Sequence, residues 1–224
     1  MTSAATTPGV LDEGVTRTAL LVDFGGVLTS PVLDAFAALS QECGLAEGEA
    51  LRLLTQDEQA RSALVEHEEG RLDDAGFEEA LGAAVVRAGG HLPDRSLLAT
   101  LDAHMELDTA MIDLVREVRA AGIPVALVSN SLGSGCYDRV DLDELFDVAV
   151  ISGRVGVRKP SRRIYTIACE RLGVAPEECV LVDDLEHNLA GAARLGVLGV
   201  HHRDAALSAP QVRRSLGLPV PATP

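Results

Sequence analysis

Basic residues are scarce in this chain of 224 residues. The sequence holds 19 Lys and Arg against 34 Asp and Glu, for a formal net charge of −15. Proteins that bind nucleic acids carry the opposite charge on their binding surface. We therefore expect no nucleic-acid partner.

Long apolar runs are absent as well. No segment approaches the roughly 20 apolar residues that a membrane-spanning helix needs, so we expect no membrane association. The first 17 residues (MTSAATTPGVLDEGVTR) lack the basic and apolar stretches of a secretory signal peptide. These absences favour a cytoplasmic protein.

Cysteine and aromatic residues are also few. The four cysteines lie far apart and form no Cys-x-x-Cys pair, which argues against a disulfide framework or a zinc site. The aromatic residues are four Phe and two Tyr, with no Trp. The 47% of residues that are apolar are thus mainly aliphatic, and they suffice for a sizeable buried core.

The apolar residues include short runs that predict β-strands. Each run is rich in Val and Leu and is continuous rather than alternating, which is typical of strands covered on both faces. Between the runs, apolar residues recur with helical spacing, as at Met111, Leu114 and Val118. Strands that alternate with helices predict an α/β fold with a doubly wound parallel sheet. The predicted strands are residues 18–24, 124–130, 148–152, 179–184 and 197–202.

Two of the predicted helices carry terminal signals. Asp108 is placed to cap the N-terminus of the helix that holds Met111, and Gly122 is placed to end it. Pro160 and Gly173 mark the start and the end of a second helix.

The stretch from residue 31 to residue 103 interrupts the alternation of strands and helices. It contains no strand-like run, and Phe77, Leu81 and Val85 repeat with helical spacing, so we predict an inserted helical cap. Within it His67 stands among three glutamates, and we interpret it as a solvated residue. The predicted boundaries are 18–30 and 104–218 for the core domain, 31–103 for the insertion, and 1–17 and 219–224 for loose termini.

Polar side chains follow several of the predicted strands. The carboxyl ends of parallel strands meet at one edge of a sheet, and ligands bind there near the point where the strand order reverses, so we expect these side chains to lie together. Taken singly, each has a plain structural explanation as a turn former, a helix cap or a solvated charge. Their common placement favours a functional site. The residues are Asp23, Ser129, Asn130, Lys159, Asp183 and Asp184.

Together these groups support phosphoryl transfer. A carboxylate such as Asp23 can act as a nucleophile and carry the phosphoryl group. Lys159 and the Ser129 hydroxyl, with backbone N–H groups of the glycine-rich turn after Asp23, can neutralise charge on the phosphoryl oxygens. Asp23 and Asp184 would repel each other unless a hard cation bridges them, and Mg²⁺ fits such a site.

In its motifs the sequence resembles the haloacid dehalogenase-like (HAD) hydrolase superfamily, and the resemblance covers nearly the whole chain. LLVDFGGVLTS around Asp23 is similar to the first motif, and ALVSNS around Ser129 to the second. RKPSRRIY around Lys159 is similar to the third motif, and VLVDDLEHNLAGA to the fourth. The resemblance implies a Rossmann-like core, a C1-type helical cap, and hydrolysis of a small phosphorylated metabolite, as in the phosphatase-like branch.

The resemblance also implies a role for each motif residue. Asp23 would be the nucleophile, while Ser129 and Lys159 would bind the transferring phosphoryl group with Asn130 nearby. No pattern in the sequence indicates an oligomeric state. The implied Mg²⁺ ligands are Asp23, the backbone carbonyl of Gly25, Asp184 and, as an alternate ligand, Asp183.

One position departs from the family pattern. Most phosphatases of the superfamily carry an Asp two residues after the nucleophile, where it protonates the leaving oxygen and later activates water. Here that residue is Gly25. A positioned acid–base group is worth about 10²–10⁴ in rate, so the departure bears directly on function.

Three functions remain compatible with Gly25. The first is a phosphatase that is restricted to leaving groups needing little protonation, or that takes its acid from the cap or the substrate. The second is a metal-independent 2-haloacid dehalogenase, whose halide leaves without a proton. Against it stand the few aromatic residues, the acidic pair Asp183–Asp184 and the absence of Arg between Arg17 and Arg52. The third is a non-catalytic protein that binds a phosphorylated ligand or a partner, which the retention of all four motifs disfavours.

Overall fold

Five parallel β-strands form the centre of the molecule in the computed structural model, which describes residues 16–221. The strand order is β3-β2-β1-β4-β5, and every neighbouring pair is parallel. In the central strand, Leu20 is paired with Val125 on one side and with Val180 on the other. The structure thus confirms the doubly wound α/β fold. The strands are β1 Ala19–Val22, β2 Val125–Ser129, β3 Val148–Ile151, β4 Cys179–Asp183 and β5 Leu198–His201.

Within residues 16–221, six α-helices, α1–α6, lie between β1 and β2, and five more follow the later strands. We refer to the helices α1–α5 as the helical segment, and no strand occurs within it in the described part of the chain. The helical segment comprises α1 Val32–Glu42, α2 Glu49–Gln56, α3 Glu58–Glu68, α4 Asp74–Arg87 and α5 Leu97–Ala103. The remaining helices are α6 Thr109–Ala120, α7 Leu142–Leu145, α8 Ser152–Val155, α9 Arg162–Leu172, α10 Glu186–Ala193 and α11 Ala205–Ser215.

The predicted helix ends are found in α6 and α9. The Asp108 side chain accepts a hydrogen bond from the Met111 N–H, which satisfies one of the free donors at the start of α6. Gly122 follows this helix with a φ of +77°, and Gly173 ends α9 with a φ of +72°. The left-handed conformation at these two positions explains why glycine stands there.

Apolar side chains pack on both faces of the sheet. Leu20 and Val22 point to the face covered by α6 and α11, whereas Leu21 points to the face covered by α9. The helical segment has a separate cluster, which includes Phe77 and Leu81. The sheet with its flanking helices and the helical segment therefore each bury a separate apolar core.

The helical segment leaves and rejoins the sheet at one place. Thr29 and Leu107 form an antiparallel bridge, and the Asp108 N–H donates to the Leu28 carbonyl. This bridge lies next to the predicted boundaries of the insertion, 31 and 103. Most of the two predicted loose termini lies outside the described residues. None of the described helices is long and apolar enough to cross a membrane.

Candidate active site

The strand order reverses between β1 and β4, and Asp23 lies at the end of β1. Its N–H donates to the Val182 carbonyl, so the backbone is still held in the sheet at this residue. The side chain is 9% exposed, and its Oδ1 accepts a hydrogen bond of 2.7 Å from the Phe24 N–H. The carboxylate is therefore fixed at the sheet edge where ligands bind in this fold class.

Lys159 brings a positive charge to Asp23 from the loop before α9. Its Nζ lies 2.6 Å from Asp23 Oδ1 and 2.8 Å from Asp183 Oδ2, and the side chain is 2% exposed. Asn130 holds the backbone of this residue, since its side chain accepts from the Lys159 N–H and donates to the Lys159 carbonyl. The sequence has no other lysine.

The ion pairs do not cancel the cost of burying these charges. Burial, with help from Asp183 and Asp184, raises the pKa of Asp23 to about 7 in spite of the adjacent Lys159. Burial opposes the charge of Lys159, but Asp23 and Asp183 outweigh it and raise the pKa of that ammonium group. The site therefore holds an excess of negative charge.

Ser129 ends β2 beside Asp23. Its side chain is buried, and its Oγ accepts a hydrogen bond of 2.9 Å from the Tyr137 hydroxyl. Tyr137 packs edge-on against Phe24, with ring centroids 4.9 Å apart. The serine hydroxyl is thus oriented by a tyrosine that the sequence motifs did not indicate.

Asp183 and Asp184, at the end of β4, have different surroundings. Asp183 is fully buried and both of its oxygens are used: Oδ1 accepts from the Leu185 N–H and the Asn188 amide, and Oδ2 accepts from Lys159. Asp184 Oδ1 is buried and has no hydrogen-bond partner among residues 16–221. Burial, followed by the charge of Asp183, raises the pKa of Asp184.

These carboxylates fit a divalent cation. Asp23, Asp183 and Asp184 each offer an oxygen within 4.8 Å of the others. The unpartnered Asp184 Oδ1 lacks the positive group that would stabilise it, and hard cations such as Mg²⁺ prefer carboxylate oxygens. Gly26 leaves room for this arrangement, because a Cβ at that position would collide with Asp184 Oδ2.

Gly25, the position that departs from the family pattern, lies in the turn after Asp23. Its φ is not in the left-handed region, so glycine is not required here for its backbone conformation. A Cβ at Gly25 would instead approach Val32 Cγ2 to 2.9 Å. The start of α1 therefore occupies the space into which a side chain at position 25 would extend.

A cavity of about 360 Å³ adjoins Asp23 and Lys159. The strand ends provide one side of it, and the helical segment provides much of the other. Among the residues from the helical segment, Thr55 and Glu68 are polar. The apolar residues from α1, α2 and α3 are Val32, Leu33, Phe36, Leu51, Leu54 and Leu64.

The structure brings all the predicted site residues to this edge of the sheet, but sequence reasoning missed the contribution of α3. His67 is buried rather than solvated: its Nε2 lies 2.8 Å from Asp74 Oδ1, and its ring stacks on Phe77. The spacing of Ala60, Ala63 and His67 on one helical face is the signal that could have indicated this burial.

Comparison with known proteins places these residues in a family. A sequence model of the haloacid dehalogenase-like hydrolases matches residues 18–196. The chain is 34% identical over 97 residues to a glyceraldehyde 3-phosphate phosphatase of Methanopyrus kandleri, a match that covers 42% of each protein. It is 30% identical over 128 residues to an (S)-2-haloacid dehalogenase of Pseudomonas putida, which covers 53% of this chain and 55% of that one. The chain thus spans about half the length of these two relatives.

A solved structure shares the whole architecture. It is a HAD family enzyme of Bacteroides thetaiotaomicron in complex with magnesium and inorganic phosphate, at a TM-score of 0.65 and 21% sequence identity. The match covers 84% of this chain and 94% of that one. At this identity the likeness shows a common fold.

Proposed function

The chain belongs to the haloacid dehalogenase-like hydrolases, and from its site we propose that it is a Mg²⁺-dependent phosphatase of a small phosphorylated metabolite. The observation that carries the proposal is the pairing of a buried nucleophile and a buried cation, Asp23 and Lys159, beside a carboxylate oxygen of Asp184 that has no partner. The phosphatase relative and the magnesium-and-phosphate complex of a protein with the same fold support it.

The contacts of Asp23 indicate which oxygen attacks. Oδ1 accepts hydrogen bonds from the Phe24 N–H and Lys159, whereas Oδ2 has no hydrogen-bond partner within residues 16–221. In the proposed first step, Oδ2 forms a bond to phosphorus while the bond from phosphorus to the ester oxygen breaks. In the second step, water attacks phosphorus, which frees Asp23 and releases inorganic phosphate.

The other residues position and neutralise the phosphoryl group. Lys159 and the Ser129 hydroxyl would donate to its oxygens, because both reach the cavity beside Asp23. Asp183 holds the ammonium group of Lys159, and Asn130 holds its backbone, so each acts through Lys159. Donors that are fixed in place before reaction need little reorganisation in the transition state.

Mg²⁺ would be held by Asp184, Asp23 and the Gly25 carbonyl, where it would supply further neutralisation of phosphoryl charge. Asp184 is the better direct ligand of the acidic pair, since both Asp183 oxygens already accept hydrogen bonds. We therefore assign Asp183 to holding Lys159 and keep it only as an alternate ligand.

The helical segment is proposed to act as the cap that closes the site. It supplies much of the cavity lining, and polar contacts of Glu68, Asp74 and Asp102 join it to the core. Arg158 Nη1 lies 2.6 Å from Glu68 Oε2, and Asp74 Oδ2 accepts hydrogen bonds from the N–H and the hydroxyl of Ser134. The four cysteines are free and buried, in keeping with a reducing compartment such as the cytoplasm.

A 2-haloacid dehalogenase is the second candidate, because a relative has that activity and the nucleophile would be the same. Its substrate carries a carboxylate, which needs a cation of its own. Lys159 is the sole Lys or Arg among the described residues that line the cavity, and it is already bound to Asp23 and Asp183. The acidic Asp184 would repel the substrate carboxylate in the absence of a metal ion, so the phosphatase is favoured.

Parallel assays separate the two candidates. Phosphate release from phosphate esters and chloride release from 2-chloropropionate are measured with Mg²⁺ and with EDTA. We expect phosphate release that EDTA suppresses and excess Mg²⁺ restores, with no chloride. Chloride release in the presence of EDTA would establish the dehalogenase instead.

A further inference from the structure

The cavity beside Asp23 is apolar on the side that would receive the leaving group. Six aliphatic or aromatic side chains from α1, α2 and α3 face it, and Phe24, Met105, Leu132 and Leu185 add to them. Two of these, Leu33 and Leu185, are 59% and 42% exposed and extend the apolar surface towards solvent. A leaving group that buries apolar surface here gains free energy in proportion to its size.

Polar substrates find few partners in the same cavity. Hydroxyl groups of a sugar would lose their hydrogen bonds to water, and among the described residues the helical segment offers only Thr55 and Glu68 in return. From the core, His187 is the further polar lining residue that no contact described above engages. A second anionic group would find no free Lys or Arg among the described lining residues.

We propose that the substrates are phosphate monoesters of apolar alcohols, aliphatic or aromatic, that carry no charge other than the phosphate. The inference rests on the proposed phosphatase function and narrows its substrate class. It follows from the chemistry of the cavity wall, whereas the phosphatase function follows from the residues at the strand ends.

A chain-length series tests the substrate class. Values of kcat/KM are compared for ethyl, butyl and hexyl phosphate, with glucose 6-phosphate and phosphoserine as polar substrates. Each added methylene is expected to raise kcat/KM about threefold to fourfold until the cavity is filled. Values of kcat/KM that do not change with chain length, or that are higher for the polar substrates, would overturn the proposed substrate class but not the phosphatase function. No release from any ester would overturn the phosphatase function as well.

A matched pair of variants locates the effect in the cavity. Leu33→Asn removes an apolar group at the cavity mouth, and Leu207→Asn changes a leucine of equal exposure on α11, away from the cavity; the two are 59% and 57% exposed. Leu33→Asn is expected to raise the KM of hexyl phosphate about fivefold and to leave that of ethyl phosphate unchanged. Equal KM values for the two variants with hexyl phosphate would contradict the proposal.

A second observation concerns the acid that Gly25 cannot provide. Glu68, the last residue of α3, lines the cavity with Asp23 and is largely buried. Burial raises its pKa to about 7, against the opposing effects of the charges of Arg158 and Lys159. Besides Asp23 and Asp184, it is the one carboxyl group among the described lining residues.

We infer that Glu68 gives its proton to the ester oxygen as the bond to phosphorus breaks, and takes a proton from the attacking water in the second step. The alcohol then leaves neutral, and Glu68 is again protonated when phosphate is released. Alkoxides of apolar alcohols are poor leaving groups, so such an acid is needed most for the substrates proposed above. The role does not depend on their chain length.

The dependence of rate on leaving-group pKa tests this role. If no residue replaced the acid that is missing at Gly25, the rate would depend steeply on the pKa of the leaving group. With Glu68 as the acid, a plot of log kcat/KM against leaving-group pKa for aryl and alkyl phosphates is expected to be shallow. For the Glu68→Gln variant this plot should become steep, because kcat/KM falls about 10²–10³-fold on alkyl phosphates and much less on aryl phosphates.

The pH profile and a neighbouring variant complete the test. Because the protonated form of Glu68 donates, kcat/KM should fall as the pH rises above about 7. This alkaline limb of the pH profile should be absent in Glu68→Gln. The charges that act on Glu68 are Arg158, Lys159 and Glu69, so Glu69→Gln, outside the cavity lining, is the control and should keep the limb. Equal losses on aryl and alkyl esters, or an unchanged pH limb, would show that Glu68 only fastens the helical segment to Arg158.

Discussion

At the scale of single residues, the two oxygens of Asp23 have unequal surroundings. Oδ1 is held by the Phe24 N–H and by Lys159, which fixes the plane of the carboxylate and leaves Oδ2 free. Charge on this group is costly, since burial raises its pKa to about 7. The proposed nucleophile is therefore positioned at the expense of stability, as is common at functional sites.

Replacing the nucleophile should separate activity from folding. Asp23→Asn is nearly isosteric but cannot accept the phosphoryl group, so we expect turnover to fall by more than about 10⁴-fold. The midpoint of thermal unfolding should not decrease, because a buried charge is removed. Asp113→Asn, whose side chain is 72% exposed, changes the net charge equally and should retain full activity. Turnover of Asp23→Asn within tenfold of the wild type would remove Asp23 from the mechanism.

Lys159 is predicted to be essential for stability as well as for binding phosphate. Lys159→Met leaves Asp23 and Asp183 buried without their cation, which should cost about 3–5 kcal/mol in the free energy of unfolding. The loss should be smaller at pH 5 than at pH 7.5, since protonation of Asp23 then removes the unpaired charge.

The control for this substitution is Arg163→Met. Arg163 pairs with Glu170 on the surface, and such pairs contribute about 0–1 kcal/mol. Urea unfolding of both variants at the two pH values, with chelator present, makes the comparison. Equal losses for the two variants would mean that the buried pair contributes no more than a surface pair.

At the scale of elements, the turn after β1 controls the position of Asp184. Gly26 has a φ of +72°, and a Cβ there would collide with the Asp184 carboxylate, whereas Gly48 has a φ of +73° and open space around it. The alanine variants of both glycines carry a similar backbone cost of about 1 kcal/mol. Only Gly26→Ala should also raise the Mg²⁺ concentration needed for half-maximal phosphate release, by at least about tenfold.

A second readout for the same pair is the rise in unfolding midpoint that Mg²⁺ produces. We expect it in the wild type and in Gly48→Ala but not in Gly26→Ala, because a cation that binds only the folded protein stabilises it. An equal midpoint rise in both variants would show that Asp184 does not hold the cation.

The elements that could be predicted from the sequence are those whose signals are local. Strands such as β2 are buried on both faces and therefore appear as continuous apolar runs, and the caps at Asp108 and Gly173 act within one helical turn. The motif residues follow strand ends, so the parallel fold itself brings them together. Their convergence followed from topology without any knowledge of side-chain contacts.

The surroundings of α3 could not be predicted in the same way. Glu68 stands in a run of charged residues, which is typical of a solvated surface. Its burial depends on Arg158, ninety positions further along the chain, and on the way α3 packs over the strand ends. The contact of Tyr137 with Ser129 depends on how the loop after β2 folds back on the strand end, so the orientation of the serine hydroxyl was equally inaccessible.

At the scale of the whole molecule, the sheet with its flanking helices and the helical segment contribute different kinds of residue to the cavity. In the proposed function, the sheet supplies the charged residues that act on phosphate, and the helical segment supplies much of the apolar wall that meets the leaving group. The sheet and the helical segment have separate apolar cores, so the cavity residues of α1, α2 and α3 can be substituted without disturbing Asp23 and Lys159. This division explains why the sequence motifs indicate the reaction but not the substrate.

Whether Asp23 carries the phosphoryl group is tested most directly by trapping that residue during turnover. The wild-type protein is mixed with Mg²⁺ and an aryl phosphate, whose alcohol leaves readily so that the second step limits the rate. The reaction is quenched in acid within one turnover, and borohydride then reduces any acyl phosphate. We expect a burst of released phenol and conversion of Asp23 to homoserine in the peptide map, both abolished by EDTA. Sustained phosphate release with no burst and with Asp23 unmodified would contradict the proposed mechanism.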